Sequence, residues 1–174
     1  MISRTLLRMD NRYPKAKERS DLLTYVSSAG GRRIALEEVR RKTGVAIDEV
    51  MSEVRKMYPQ FGQYRPRGFD KGHSDMCLLT AMTANAMFLG ETDTVDDQFV
   101  YWYQSILKSV HLSPQFLADS FRLWKEALRR HLTSDSFKLM EPFVQHMIAV
   151  LSDIPDPAKD EVGERLSGTP NPGK

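Results

Sequence analysis

Within seven residues the chain places a lysine, a histidine, an aspartate and a cysteine: Lys71, His73, Asp75 and Cys77. Asp75 stands near the start of an otherwise apolar run. A carboxylate there accepts N–H hydrogen bonds, and a neighbouring cationic group keeps it ionised. Helix-start charge stabilisation with Asp75 facing water is the competing account. His73 and Cys77 are four residues apart and share one helix face. Two ligands do not make a zinc centre, which takes four, or three and a water. Free cysteine is also commonly buried, so Cys77 reads first as a core thiol. Arg65, Arg67 and Lys71 precede the run. Singly each reads as solvated loop charge, but together they favour an anionic ligand, since arginine grips carboxylates bidentately.

Those side chains need elements to hold them, and the rest of the chain reads as helices. Pro14 opens a leading helix with Leu22, Leu23 and Val26 on one side, expected to end at Gly30-Gly31. A long helix is expected from Arg32 to Met57, striped by Ile34, Val39, Val45, Ile47, Val50 and Val54, with Gly44 as a candidate break. Residues 58–72, rich in proline, glycine and cations, read as a loop. From Ser74 to Leu89 the helix is apolar all round and is expected to be buried all round. Thr94-x-x-Asp97 looks like the next helix start, and Ser113-Pro114 is a capped one, leading to Phe116, Leu117, Phe121, Leu123, Trp124 and Leu128. The last helix opens at Thr133-Ser134-Asp135. Residues 1–12 read as an arm and 154–174 as a disordered tail. The expected organisation is an arm and leading helix over 1–30, one all-α domain over 31–153, and the tail.

Composition limits the function. A chain of 174 residues with 41% hydrophobic and 28% charged residues suits one globular domain. A net charge of +2 does not demand nucleic acid or an anionic membrane. The single cysteine excludes an internal disulfide framework, and no run reaches the ~18 apolar residues of a membrane helix. A cytoplasmic protein is expected, without nucleic acid or membrane as partner. Residues 32–57 scan superficially as a helix-turn-helix around Thr43-Gly44-Val45. Asp48, Glu49 and Glu53 on the second helix would repel phosphates, which favours one continuous helix. No set of nucleophile, base and orienting group argues for an enzyme.

The order of elements, together with Arg65-Pro66-Arg67-Gly68, the run Ala86-Met87-Phe88-Leu89-Gly90, the acidic pair Asp96-Asp97 and the spacing from Gly90 to Ser113-Pro114, resembles the phycobiliproteins over residues 20–153. The resemblance implies a globin-like helical fold with an open-chain tetrapyrrole (bilin) against the central helix, biliverdin or a reduced bilin such as phycocyanobilin. In that family a cysteine on this helix holds the pigment as a thioether, and an aspartate three residues later meets the pyrrole nitrogens. Aligned through Ala86-Met87, the aspartate falls on Asp75 and the cysteine on Gly72. Ser74 replaces the family's arginine, a pocket tyrosine is lost and the preceding loop is short. Without the thiol at position 72, the conventional link is not available. The closer resemblance is to the bilin biosynthesis-associated globins of non-photosynthetic bacteria.

What the resemblance implies is a carrier or sensor, linked to bilin metabolism, that binds the pigment non-canonically or non-covalently. Asp75 would hold the pyrrole nitrogens, and Arg65, Arg67 and Lys71 the propionates, with Trp102 and Tyr103 among the walls; Cys77, beside His73, would be the only thiol able to meet a vinyl group. The aromatics Phe88, Phe121 and Trp124 read mainly as core. His111 has the position of a globin corner but not of the iron ligand, which falls on Ile106, so haem is not expected. Leu6, Leu7, Leu22 and Leu23 suit self-association, and a homodimer is expected, with bilin-synthesis enzymes as further partners. The alternative is a cofactor-free, globin-like interaction or sensor module.

Overall fold

A computed structural model describes residues 12–61, 67–110 and 112–152. Residues 1–11 of the expected arm, the tail, Arg65 and His111 lie outside the described residues. Among the described residues every regular element is helical: α1 (Ala16–Ser27), α2 (Ala29–Met57), α3 (Gly68–Leu89), a single turn α4 (Asp93–Val95), a π-helical stretch Asp96–Val100, α5 (Tyr101–Val110), α6 (Pro114–His131) and α7 (Ser134–Ser152). None of these helices is long and apolar enough to cross a membrane.

The core forms where α2 packs along α3, α6 and α7, while α7 also lies against α3. α2 runs without interruption through Gly44, so the helix-turn-helix alternative fails. Its buried stripe is Leu36, Val39, Ala46, Ile47, Val50 and Val54, whereas the expected Ile34 and Val45 are 63% and 57% exposed. The corner before it lies at Ser28, and Gly30 and Gly31 fall inside α2 rather than ending α1. Arg32 makes this corner. Its guanidinium donates to the carbonyls of Tyr25 and Phe88, also bonds the Ser28 hydroxyl, and stacks 4.0 Å from the Tyr25 ring centre. That one buried cation ties α1, α2 and the end of α3 together. Gly90 closes α3 in the left-handed region, at φ 72°, the conformation glycine adopts at least cost.

α3 begins at Gly68, six residues before the expected start, so Lys71, Gly72 and His73 are helical. Its buried side carries Met76, Leu79, Thr80, Thr83, Ala84, Ala86 and Met87. The other side reaches solvent at Leu78, Phe88 and Leu89, which corrects the expectation of burial all round. The fully buried Trp124 of α6 donates its Nε1–H to the Thr80 hydroxyl at 2.9 Å, and that hydroxyl donates to the Met76 carbonyl. Ser113 caps α6 as its type predicts, its Oγ accepting from the Phe116 amide. At the start of α7 the cap is supplied from a distance: Glu38 of α2 accepts from both the amide and the hydroxyl of Thr133.

Candidate functional site

Four helices diverge around a cavity of about 410 Å³. α2 contributes Val50, Met51 and Val54, and α3 contributes Gly68, Lys71, Gly72, Asp75 and Met76. Tyr103, Ile106, Leu107 and Val110 of α5 form a third wall, and Phe116, Leu117, Ser120 and Phe121 of α6 a fourth. Phe61 closes the rim, stacked on Phe116 with ring centres 5.0 Å apart. The α3 set follows helical geometry, since positions 68, 71, 72 and 75 recur at three- and four-residue spacing on one face.

Polar groups in this wall are few. Asp75 is half-buried, and that burial holds its carboxyl above the usual aspartate range, with the Lys71 ammonium one turn away pulling the other way. Burial likewise pushes the Tyr103 hydroxyl well up, and the Asp75 carboxylate adds to the shift. Tyr103 lies nearly parallel to Phe99, ring centres 5.0 Å apart, so its plane is set before anything binds. Ser120 adds a second hydroxyl. The result is a deep apolar slot with one carboxylate, one amine and two hydroxyls. Sites of this kind take a mostly flat, apolar molecule and orient it by a few polar atoms.

The structure therefore brings Lys71, Gly72, Asp75 and Tyr103 together. Gly72 has no side chain, and a Cβ there would sit 3.1 Å from the Met51 methyl. The other expected site residues that are described fall elsewhere. Trp102 is 52% exposed and outside the cavity, because one residue along a helix turns the side chain by roughly 100°, so Tyr103 facing inward sends Trp102 outward. Arg67 is exposed and precedes α3 at φ 65°, away from the cavity wall.

His73 and Cys77 share a different face of α3. The His73 ring is 3.0 Å from Asp48 and its other nitrogen 3.8 Å from the Cys77 sulfur. Burial first, and then the Asp48 charge, raise the Cys77 thiol above the ordinary range, so it is held as a thiol rather than a thiolate. It does not line the cavity, and the expectation of Cys77 as a pigment contact is corrected on that ground. No group of three metal-binding side chains occurs among the described residues.

Sequence reasoning missed the α2 and α6 walls. Val50 and Val54 belong to a plain apolar stripe, and Phe116, Leu117, Ser120 and Phe121 repeat at core spacing. A small hydroxyl, Ser120, within an otherwise bulky apolar face was the available signal.

A model of the phycobilisome protein family matches residues 8–151, a span that contains every cavity-lining residue. No curated protein matches the chain.

Proposed function

Since the chain belongs to the phycobilisome protein family, whose members are bilin-binding chromophore proteins, we propose that the cavity at Asp75 binds a linear tetrapyrrole reversibly, as a carrier or sensor linked to bilin metabolism. The observation that carries this reading is a half-buried carboxylate set in an apolar slot of about 410 Å³ between α2, α3, α5 and α6. A carboxylate so placed has few internal partners to satisfy it. It is matched by a flat molecule that presents several N–H groups to one point and gains cationic character there. Lys71, four residues before it on the same face, meets a propionate, and Tyr103 lies against the conjugated plane.

The mode of attachment follows from position 72. Gly72 offers no thiol where the family's resemblance would put the thioether, and Cys77 sits on another face. The pigment, biliverdin or a reduced bilin such as phycocyanobilin, is then exchangeable. That suits handing it to or from bilin-synthesis enzymes better than permanent storage. The role in this reading is binding, that of a carrier or sensor.

Self-association belongs to the same proposal. α1 buries none of its residues, and Leu23 and Val26 are 65% and 66% exposed on it. A homodimer through this face is read by sedimentation, with Leu23→Glu returning the monomer.

The test of the pigment reading is co-expression with a haem oxygenase and a visible spectrum of the purified protein. A coloured product that bleaches in Asp75→Ala supports it. A colourless wild type overturns it and leaves an interaction module, and a Soret band indicates haem instead.

A further inference from the structure

A groove of about 470 Å³ opens between α2 and α3 beside the cavity. Met51 lines both spaces, and its methyl fills the place a side chain on Gly72 would need. Adjacent faces of α3 serve the two: Lys71, Gly72 and Asp75 face the cavity, while Phe69, Asp70 and His73 face the groove. Met51 is thus the one residue that lines both spaces, an adaptable apolar side chain set against a residue with no side chain.

The two spaces differ in chemistry. The cavity wall is apolar apart from Lys71, Asp75, Tyr103 and Ser120. The groove mixes acceptors, the carboxylates of Asp48 and Asp70, with donors, the Arg55 guanidinium and the Ser52 hydroxyl, around the Phe69 ring. Arg55 lies 4.7 Å from the centre of that ring, and His73 is 3.0 Å from Asp48. Two acids beside one arginine make a poor seat for another anion. A neutral group with an N–H donor next to a carbonyl acceptor suits it, because each finds a partner of opposite kind.

We propose that the Met51 side chain swings aside when ligand enters, and that the groove receives one terminal lactam ring of the tetrapyrrole whose inner pyrroles meet Asp75. This rests on the pigment reading above and extends it. A linear tetrapyrrole has a lactam at each end. Tyr103 and Ser120 serve one of them within the cavity, and the cavity wall holds no comparable pair for the other. Asp48, Arg55 and His73 supply that pair beyond Met51. The binding site is then one continuous cleft in the liganded protein and two spaces in the free one.

Biliverdin is titrated into the full chain and followed by absorbance, with wild type compared with Ser52→Trp, Lys56→Ala and His73→Ala. Ser52 is exposed on α2, so its indole replacement fills the groove from a tolerant helix position. The expected result is at least a tenfold weaker Kd for Ser52→Trp, a wild-type Kd for Lys56→Ala, which lines neither space, and about a fivefold loss with a shifted absorption band for His73→Ala, the size of one neutral hydrogen bond. Should Ser52→Trp fail to fold, the His73→Ala titration decides alone. Wild type that binds biliverdin with a Kd unchanged in both Ser52→Trp and His73→Ala overturns the groove and leaves the pigment reading standing. Wild type that binds neither biliverdin nor phycocyanobilin overturns both.

Discussion

Replacing Asp75 by asparagine keeps the side chain's size and removes its charge, and the structure gives opposite signs for its two consequences. In the bound state the carboxylate accepts charge-assisted N–H bonds, worth about 1.5–3 kcal/mol net. At about 1.4 kcal/mol per decade, Asp75→Asn weakens biliverdin binding by roughly 10- to 150-fold. In the free state burial raises the carboxyl's pKa above the ordinary 3.8. A group with a raised folded-state pKa contributes its stability below the unfolded value, and loses it as pH climbs through the folded one. Ionised Asp75 is therefore a liability to the free fold at pH 7, softened by Lys71 and by its partial exposure. Asp75→Asn melts higher than wild type at pH 7, and the gap narrows as pH falls toward 4. Absorbance titration gives the first quantity, and melts between pH 4 and 8 the second. A variant with wild-type affinity, or one that melts lower than wild type at pH 7, refutes the assignment of Asp75 as a desolvated ligand contact.

Three further outcomes follow from the geometry. Gly44 lies inside α2 with nothing within 4 Å of where a Cβ would stand, so Gly44→Ala raises stability by about 0.5–1 kcal/mol in urea unfolding; an unchanged midpoint counts against an unstrained helix there. Thr80→Val leaves the buried Trp124 N–H without its acceptor and lowers stability by about 1–3 kcal/mol, seen as a fall in Tm of several degrees. Gly72→Cys, which only asks the flexible end of Met51 to give way, lets phycocyanobilin stay with the chain through a denaturing gel, where wild type loses it. Loss of pigment from the cysteine variant argues that position 72 does not face the bound ring.

Much of the helical plan was legible because its signals are local. Ser113-Pro114 announces α6 by a hydroxyl cap and a fixed φ, and both act within four residues. The apolar richness of 74–89 marks the central helix. The failures are non-local. Gly68 to His73 form the first turns of α3 although glycine and aspartate are weak helix formers, because the stretch gains packing against α2. Gly30 and Gly31 look like a stop and are carried through by the buried Arg32, whose partners lie on two other elements. For the site, family position pointed to Asp75 and Gly72 and the cation cluster to Lys71, and the three share the helix face that lines the cavity. The walls contributed by α2 and α6 were hidden because a cavity wall and a filled core use the same residues at the same spacing. Whether a valine meets another side chain or an empty slot depends on how far apart the helices stand, which periodicity does not encode.

The π-helical stretch at Asp96–Val100 is where one extra residue is housed between the end of α3 and the aromatic wall. His146 of α7 holds its start through Asp96 at 2.7 Å, and Gln104 holds the far side through the Val150 carbonyl at 2.6 Å. Deleting one exposed residue there, such as Gln98, would restore an ordinary helix and rotate everything after it by roughly 100°. Tyr103 and Leu107 would leave the slot, and neighbours with no history of facing it would take their places. The widened turn thus acts as an indexing device, setting which side chains of the next helix form the cavity wall, so a one-residue deletion there would change the wall's chemistry by bringing in other residues rather than by substituting one.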